Sequence, residues 1–180
     1  MQNLEKYNNS DYKPGNIFVR VSWYLLSLFF FESKLPWPYF LKKFILKLHG
    51  AKLGKKFIIK PKVKIKYPWK LRCGDNVWIG EDCWIDNLSN VIIEDNVCIS
   101  QGALLICGNH DYKKETFDLI TTKIVIEKGV WICAKAVVSA GVTCREGSIL
   151  TIGSVATKDL KKNAIYKGNP AQYVKERRIK

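Results

Sequence analysis

The chain has 180 residues, of which 47% are hydrophobic and 26% charged, so it can bury a core and is not disordered throughout. Thirty Lys and Arg residues outnumber 16 Asp and Glu residues and give a formal net charge of +14, which favours a polyanionic partner. The charge is +13 over residues 1–72, −6 over residues 73–126 and +7 over residues 127–180. Nucleic acid would need one continuous basic track, so this alternation argues against it.

Residues 1–52 are predicted to form an apolar and basic N-terminal helical segment. Its longest apolar run, residues 21–31, follows Arg20 and is shorter than the roughly 20 residues that span a bilayer. Residues 37–48 place apolar residues at helical spacing with lysines between them, as in helices that lie on a membrane surface. Two alternatives stay open. Residues 17–48 contact an anionic membrane peripherally, or they pack on the protein's own core or on a subunit neighbour.

The compartment is predicted from the N terminus and the cysteines. No cleavable signal peptide is apparent, because the first 16 residues are polar. The six cysteines form no CxxC pair and the chain has two histidines, so no metal site is predicted. We therefore expect a cytoplasmic protein with reduced thiols, held at the inner membrane face if the N-terminal segment binds lipid.

A six-residue repeat organises residues 53–160. A helix would repeat every 3.6 residues and a hairpin sheet would alternate strictly, so neither explains a period of six. Each hexad supplies a short strand and a turn, and three hexads close one triangular coil of a mainly β, parallel β-helix. Residues 161–180 follow it as a short C-terminal tail. The residues predicted to point inward are Leu53, Ile59, Ile65, Cys73, Ile79, Ile85, Ile93, Ile99, Leu105, Ile126, Ile132, Val138, Cys144, Leu150 and Ala156.

Three stretches carry a family resemblance. They are YPWKL at residues 67–71 with CGDNVWIGED at 73–82, CISQGA at 98–103 with GNHDY at 108–112, and TKDL at 157–160 with GNPA at 168–171. Together with the hexad they resemble the hexapeptide-repeat acyltransferases, and among these the colanic-acid-biosynthesis-type O-acetyltransferases of bacterial polysaccharide clusters. The resemblance implies a left-handed helix, a homotrimer with active sites between subunits, acetyl-CoA as co-substrate and a saccharide acceptor. The apolar and basic front suggests that this acceptor is linked to a lipid.

Residues 109–123 interrupt the hexad, so they leave the coil as a loop, and His110 stands at its start. Histidine has a pKa near working pH, which suits it to accept the proton of an attacking hydroxyl. The resemblance points to His110 as this catalytic base. Asp111 follows directly and either holds the imidazole or caps the loop.

Acceptor residues are predicted on the coil before the loop. Asp86 and Asn87 fall at a repeat corner, where they either hydrogen-bond sugar hydroxyls or serve as ordinary turn residues. Trp84 offers a stacking face for a sugar or simply covers the coil.

Cofactor residues are predicted on the coils after the loop and in the tail. A pantetheine arm needs a groove beside small residues, and the phosphates of coenzyme A attract cations. These needs and the resemblance select Ala134, Ala140, Gly141, Thr157, Lys158 and Lys175.

Three functions compete at this point. The first is an acetyl-CoA-dependent O-acetyltransferase that acts by direct transfer on a sugar or lipid-linked saccharide in bacterial polysaccharide biosynthesis. The second is an acetyltransferase of an amino sugar, an antibiotic or another small acceptor. The third is a non-catalytic scaffold or nucleic-acid-binding subunit, which would have no need of a histidine-bearing loop.

Overall fold

The computed structural model describes residues 1–179, in which two α-helices precede a coil of short strands. The helices are Ile17–Phe30 (α1) and Tyr39–Leu48 (α2), and short 3-10 helices lie at Leu4–Lys6 and Pro68–Lys70. In chain order, the strands β1 to β19 of the described residues are Lys52–Leu53, Ile58–Ile59, Lys64–Ile65, Leu71–Cys73, Trp78–Ile79, Trp84–Asp86, Val91–Ile93, Cys98–Ile99, Leu104–Ile106, Gly108–His110, Leu119–Thr121, Ile124–Ile126, Trp131–Ile132, Val137–Val138, Thr143–Cys144, Ile149–Leu150, Val155–Ala156, Ala164–Lys167 and Gln172–Glu176.

The strands wind around three flat faces. Face A holds β1, β4, β7, β12 and β15; face B holds β2, β5, β8, β13, β16, β18 and β19; face C holds β3, β6, β9, β14 and β17. Within a face, each coil pairs in parallel with the next in constant register, as Leu53 lies opposite Cys73 and Cys73 opposite Ile93. Equivalent hexad positions therefore stack on one another.

Three edges join the faces, and each is a column of turns. Edge A/B consists of residues 54–57, 74–77, 94–97, 127–130 and 145–148. Edge B/C consists of residues 60–63, 80–83, 100–103, 133–136 and 151–154. Edge C/A consists of residues 66–70, 87–90, 107–123, 139–142 and 157–159.

The hexad residues form the core. Every position predicted to point inward, from Leu53 to Ala156, is buried. Full burial of one such aliphatic side chain contributes about 1.5–3 kcal/mol, so the stacked column stabilises the coil along its whole length. The predicted parallel β-helix of hexapeptide repeats is confirmed.

Helices α1 and α2 lie within residues 1–52 and cover the first coil. The indole Nε1 of Trp23 donates to the carbonyl of Ile65 at 2.8 Å, and its ring lies 5.1 Å from that of Phe31. On α2, Ile45 and Leu46 are buried and extend the core of the coil. Among residues 1–179, no helix is both long enough and apolar enough to cross a membrane.

The predicted C-terminal tail is largely a hairpin. Strand β18 pairs in parallel with β16, and β19 returns antiparallel to β18, so both strands extend face B. Ala164 and Tyr166 are buried at a period of two. A period of six residues does not describe this hairpin, because side chains of a strand point to the same face at every second residue.

Candidate active site

Most of the predicted site residues lie along edge C/A or at its border with face C. In order along the coil axis they are Asp86 and Asn87, His110 and Asp111, Ala140 and Gly141, and Thr157 and Lys158. The predicted acceptor residues therefore lie on one side of His110 and four predicted cofactor residues on the other.

His110 is carried by a hairpin that leaves the coil at this edge. Strands β10 and β11 pair antiparallel, and the amide of Thr122 donates to the carbonyl of Cys107 at 2.9 Å to close the base. A Cβ atom on Gly108 would lie 2.5 Å from Cδ1 of Leu88, so a larger residue there would displace the Leu88 side chain of the preceding turn. The hairpin is thereby held against the coil.

The imidazole of His110 has a defined orientation. Its Nδ1 lies 2.8 Å from the carbonyl oxygen of Phe117, and the two rings stack with centroids 4.3 Å apart and planes 2° from parallel. A carbonyl oxygen only accepts, so the partner implies that Nδ1 carries the proton and donates it. In the neutral imidazole, Nε2 then keeps a lone pair that can accept a proton.

Asp111 stabilises the tip of the hairpin by hydrogen bonds. Its Oδ1 accepts from the amide of Lys113 at 3.1 Å, and its own amide donates to the carbonyl of Asp118 at 2.8 Å. Of the two roles left open by the sequence, the structure shows the cap, since the group bonded to the imidazole is the Phe117 carbonyl.

Asn87 does not face a ligand site. Its side chain is fully buried, with Oδ1 accepting from the amide of Tyr67 at 2.9 Å and Nδ2 donating to the carbonyl of Tyr67 at 2.6 Å. Both polar groups of the amide are therefore used to hold the turn of the preceding coil. The structure corrects the prediction that Asn87 binds the acceptor.

Asp86 and Trp84 stay accessible. The Asp86 carboxylate lies 3.2 Å from Nζ of Lys66 and keeps 16% of its side-chain surface exposed. Its buried Oδ1 makes no hydrogen bond of good geometry within residues 1–179, so the Lys66 contact is an ion pair only. Trp84 is half-exposed on face C beneath Nζ of Lys64, and it lines a groove of about 440 Å³ between α1 and that face.

The N-terminal residues before α1 also reach the hairpin, which sequence reasoning missed. The amide of Asn3 donates to the carbonyl of Glu115 at 2.8 Å, and the ring of Tyr7 lies 5.7 Å from that of His110. The Tyr12 hydroxyl donates to the carbonyl of Leu88 at 2.7 Å. A cavity of about 430 Å³ between segment and hairpin is lined by Asn8, Asn9, Asp11, Tyr12, Asp111, Lys114, Asp118, Leu119 and Ile120.

The two tyrosines are the signal that could have revealed this contact. Tyr7 and Tyr12 are the aromatic residues of an otherwise polar stretch, and both are partly buried. An aromatic residue in a polar segment indicates a surface to pack on, although it does not say which one.

The two turns of edge C/A that follow the hairpin combine small residues with an exposed lysine. The amide of Ser139 donates to the carbonyl of Ala156 at 3.0 Å, which stacks the turn of Ala140 on that of Thr157 and Lys158. Gly141 has a φ of +84°, and a Cβ there would lie 3.3 Å from Cγ2 of Thr122 at the hairpin base. This row of small residues with an exposed ammonium at its end fits a thioester arm followed by phosphates.

Two predicted cofactor residues lie elsewhere in the protomer. Ala134 is on edge B/C, where its carbonyl accepts from the amide of Gly153 at 3.0 Å. Lys175 is on β19 of face B, opposite Ile165. The predicted cofactor set is therefore divided between edge C/A, edge B/C and face B.

Five of the six cysteines are unsuited to nucleophilic chemistry at neutral pH. Burial raises the pKa of Cys83, Cys107 and Cys133 to about 11 and that of Cys73 and Cys144 still further. The thiolate is the nucleophilic form, so these thiols are inert in the fold. Within the described part of the chain, no group of three or more His, Cys, Asp or Glu side chains could hold a metal ion.

Comparison with known proteins gives close relatives. No family model matches the chain. The chain is 34% identical over 178 residues, 98% of either chain, to the Escherichia coli (strain K12) protein named colanic acid biosynthesis acetyltransferase WcaF. The hexapeptide-repeat acetyltransferase VCA0836 of Vibrio cholerae, solved with acetyl-CoA, shares 22% identity and a TM-score of 0.80 over 90% of this chain and 88% of that one. A galactoside acetyltransferase solved with coenzyme A shares 24% identity and a TM-score of 0.79 over 88% of this chain and 80% of that one.

The fold and the sequence likeness to WcaF define a β-helical acyltransferase. The chain belongs to the hexapeptide-repeat acetyltransferases, in the group that includes the colanic acid biosynthesis acetyltransferase WcaF. The likeness to solved structures confirms the predicted left-handed β-helix class.

Proposed function

We propose that the protein transfers the acetyl group of acetyl-CoA to a hydroxyl group of a saccharide in bacterial polysaccharide biosynthesis, with His110 as general base. The observation that carries this proposal is the hydrogen bond from His110 Nδ1 to the Phe117 carbonyl, which leaves Nε2 free to accept a proton. The name of the WcaF relative supports the polysaccharide context.

In the proposed reaction the acceptor hydroxyl gives its proton to Nε2 of His110 while its oxygen attacks the thioester carbonyl. The new C–O bond forms a tetrahedral intermediate, and the C–S bond then breaks. The imidazolium returns the proton to the departing sulfur, so that the products are the acetyl ester and the free thiol of coenzyme A. The Phe117 carbonyl accepts from Nδ1–H throughout and stabilises the imidazolium charge.

Edge C/A supports direct transfer within one ternary complex. The turns of Ala140–Gly141 and Thr157–Lys158 would hold acetyl-CoA along the edge. The cavity between the N-terminal segment and the hairpin would hold the saccharide, since the Asp11 carboxylate and the Asn9 amide in its lining are suited to hydrogen-bond sugar hydroxyls. Both substrates would then meet at one base, and such positioning supplies much of the rate.

A homotrimer would complete the cofactor site. Ala134 and Lys175 cannot join edge C/A of their own protomer, because they lie on edge B/C and face B. Around a threefold axis, edge C/A of one subunit can face edge B/C of the next. We therefore propose that each active site lies between two subunits and draws residues from both.

The test is transfer by His110→Ala. Loss of a general base lowers turnover by about 10²–10⁴-fold. Release of the coenzyme A thiol and mass spectrometry of the acetylated saccharide would measure this, with the accumulated glycan of a strain lacking the protein as acceptor. Acetyl-CoA affinity and trimer mass should stay unchanged.

The matched control is Tyr112→Ala in the same hairpin. The Tyr112 side chain is exposed, so its removal should leave transfer near the wild-type rate. Near-normal turnover in His110→Ala would refute the proposed base.

A further inference from the structure

The outward surfaces of α1 and α2 are apolar although their inward sides already pack on the coil. Trp23 and Leu46 are buried against the first coil. Six large apolar side chains on the outer side are between 54% and 80% exposed, namely Phe18, Leu25, Phe29, Phe40, Phe44 and Leu48. A monomeric soluble protein rarely exposes a continuous apolar patch of this kind, so the patch indicates a binding surface.

The position of these helices makes the patch unusual. A solenoid leaves its first coil open, and a capping element with a polar outer face normally closes it. Helices α1 and α2 close the coil here, since α2 packs on β1 and β2 and Trp23 of α1 bonds to Ile65 of β3. Their outer face is nevertheless apolar, which capping alone does not require.

The segment that carries the patch is strongly basic. Residues 12–74 contain fifteen Lys and Arg residues and a single acidic residue, Glu32. The Glu32 carboxylate is partly buried and accepts from the hydroxyl of Ser27 at 3.2 Å. Lys34 and Lys47 are exposed, and each directly precedes an exposed leucine in the chain, Leu35 between the helices and Leu48 on α2. An apolar surface on a strongly basic segment is complementary to an anionic lipid surface.

We propose that α1 and α2 form a docking face for an anionic phospholipid bilayer. Its phenylalanines and leucines enter the boundary between headgroups and acyl chains, and Lys34 and Lys47 lie at the headgroup phosphates. The 14 residues of α1 span about 21 Å, so the helix lies on the bilayer and does not cross it.

This docking would also orient edge C/A. Trp23 ties α1 to Ile65 of β3, and the next coil on face C carries Trp84 and Asp86. The acceptor end of edge C/A is thus the end nearest the lipid. A saccharide carried on a membrane lipid would meet this end first, which deepens the proposed function by naming the carrier of the acceptor.

Vesicle flotation of the full chain tests the docking. Wild type should float with vesicles of phosphatidylglycerol and phosphatidylcholine and bind vesicles of pure phosphatidylcholine much more weakly. Phe18→Glu and Phe40→Glu should each lower the partition coefficient at least tenfold. Ile179→Glu is the matched control, because Ile179 is as exposed as Phe40 but lies at the far end of the chain.

A second pair of variants tests the charge. Lys47→Glu should weaken binding to the anionic vesicles by about fivefold or more, since each basic residue near such a surface contributes about 1 kcal/mol. Lys161→Glu, exposed beyond the last coil, should bind like wild type.

Two results would overturn the proposal. One is a wild-type protein that does not float with anionic vesicles. The other is a change of oligomer mass in Phe18→Glu or Phe40→Glu with unchanged flotation, which would make the face a subunit contact. Flotation is measured without acetyl-CoA and His110→Ala should float normally, so failure of docking and failure of the proposed acetyl transfer are distinguishable.

Discussion

Two edges of the same coil differ in how regular their turns are. Along edge A/B, each turn uses a left-handed residue at the equivalent position, and side chains link successive turns: Oδ1 of Asp75 accepts from the amide of Lys55 at 2.6 Å, and Oδ1 of Asp95 accepts from the amide of Asp75 at 2.7 Å. The left-handed residues are Lys56, Asn76, Asn96, Gly129 and Gly147, with φ between 48° and 69°. Along edge C/A the turns differ. They include a 3-10 helix at Pro68–Lys70, the buried Asn87, the His110 hairpin and the open turn of Gly141.

The regular edge A/B stabilises the coil, whereas the irregular edge C/A carries most residues of the candidate site. On edge A/B, each turn is hydrogen-bonded to the equivalent turn of the next coil. Many polar groups of this edge therefore already have a partner within the fold. On edge C/A the turns do not copy one another, and side chains such as those of His110 and Lys158 are not used to link successive turns. In a repeat protein, the irregular edge is therefore the place to look for the site.

Among variants that keep His110, the largest expected effect comes from deleting the part of the N-terminal segment that contacts edge C/A. Deletion of residues 1–9 takes away Tyr7 beside His110 and part of the polar cavity, while Tyr12 stays. We expect kcat/KM for the saccharide to fall by about 10²-fold, because a misplaced acceptor loses the benefit of positioning. Steady-state kinetics would measure it. Acetyl-CoA affinity serves as the control, and its parallel loss would contradict this assignment.

The next effect is on stability at the same edge. Asn87→Ala leaves the buried amide and carbonyl of Tyr67 without partners and should destabilise the fold by about 2–4 kcal/mol. Urea unfolding would show it as a lower midpoint. Asn90→Ala, three residues on and exposed, should stay within about 0.5 kcal/mol of wild type. Equal stability of both variants would show that the Asn87 amide is not structural.

Edge A/B should respond differently. Asn96 has a φ of 58° and accepts from Nδ2 of Asn76 at 3.0 Å. Asn96→Ala should cost about 1–2 kcal/mol, since a residue with a Cβ and no local hydrogen bond is strained there. Asn96→Gly should recover most of that loss, and neither variant should change kcat. A fall in kcat would mean that edge A/B takes part in the site.

The smallest effect concerns pH. Burial raises the pKa of Cys107 from 9.0 to about 11, so the folded state keeps a proton that the unfolded state loses. The stabilisation is complete below pH 9 and is lost as pH rises toward 11, with a loss of under about 1 kcal/mol by pH 9.5. Thermal unfolding of Cys107→Ala should therefore depend less on pH between 8 and 9.5 than that of wild type. Identical slopes would show that the thiol titrates normally.

The sequence revealed those residues of the candidate site that the hexad repeat or the family resemblance marks. His110 could be found because it stands where the hexad breaks and matches the family motif, Ala140 because a pantetheine groove needs small residues, and Thr157 from the family resemblance. Asn87 looked like any corner asparagine, since its burial depends on Tyr67, twenty residues earlier. Asp111 was open between two roles that one hydrogen bond to Lys113 decides.

The sequence by itself determined the coil, its core and the exit of the hairpin, because in a hexad repeat each side chain meets its equivalent at a nearly constant separation along the chain. The tertiary structure alone decided which turn residues are free, which imidazole nitrogen holds the proton, and that the N-terminal segment reaches the site. These depend on contacts such as Tyr7 with His110, whose separation follows no period. A periodic pattern encodes neighbours that repeat, and a single contact between distant, unrelated positions leaves no such pattern.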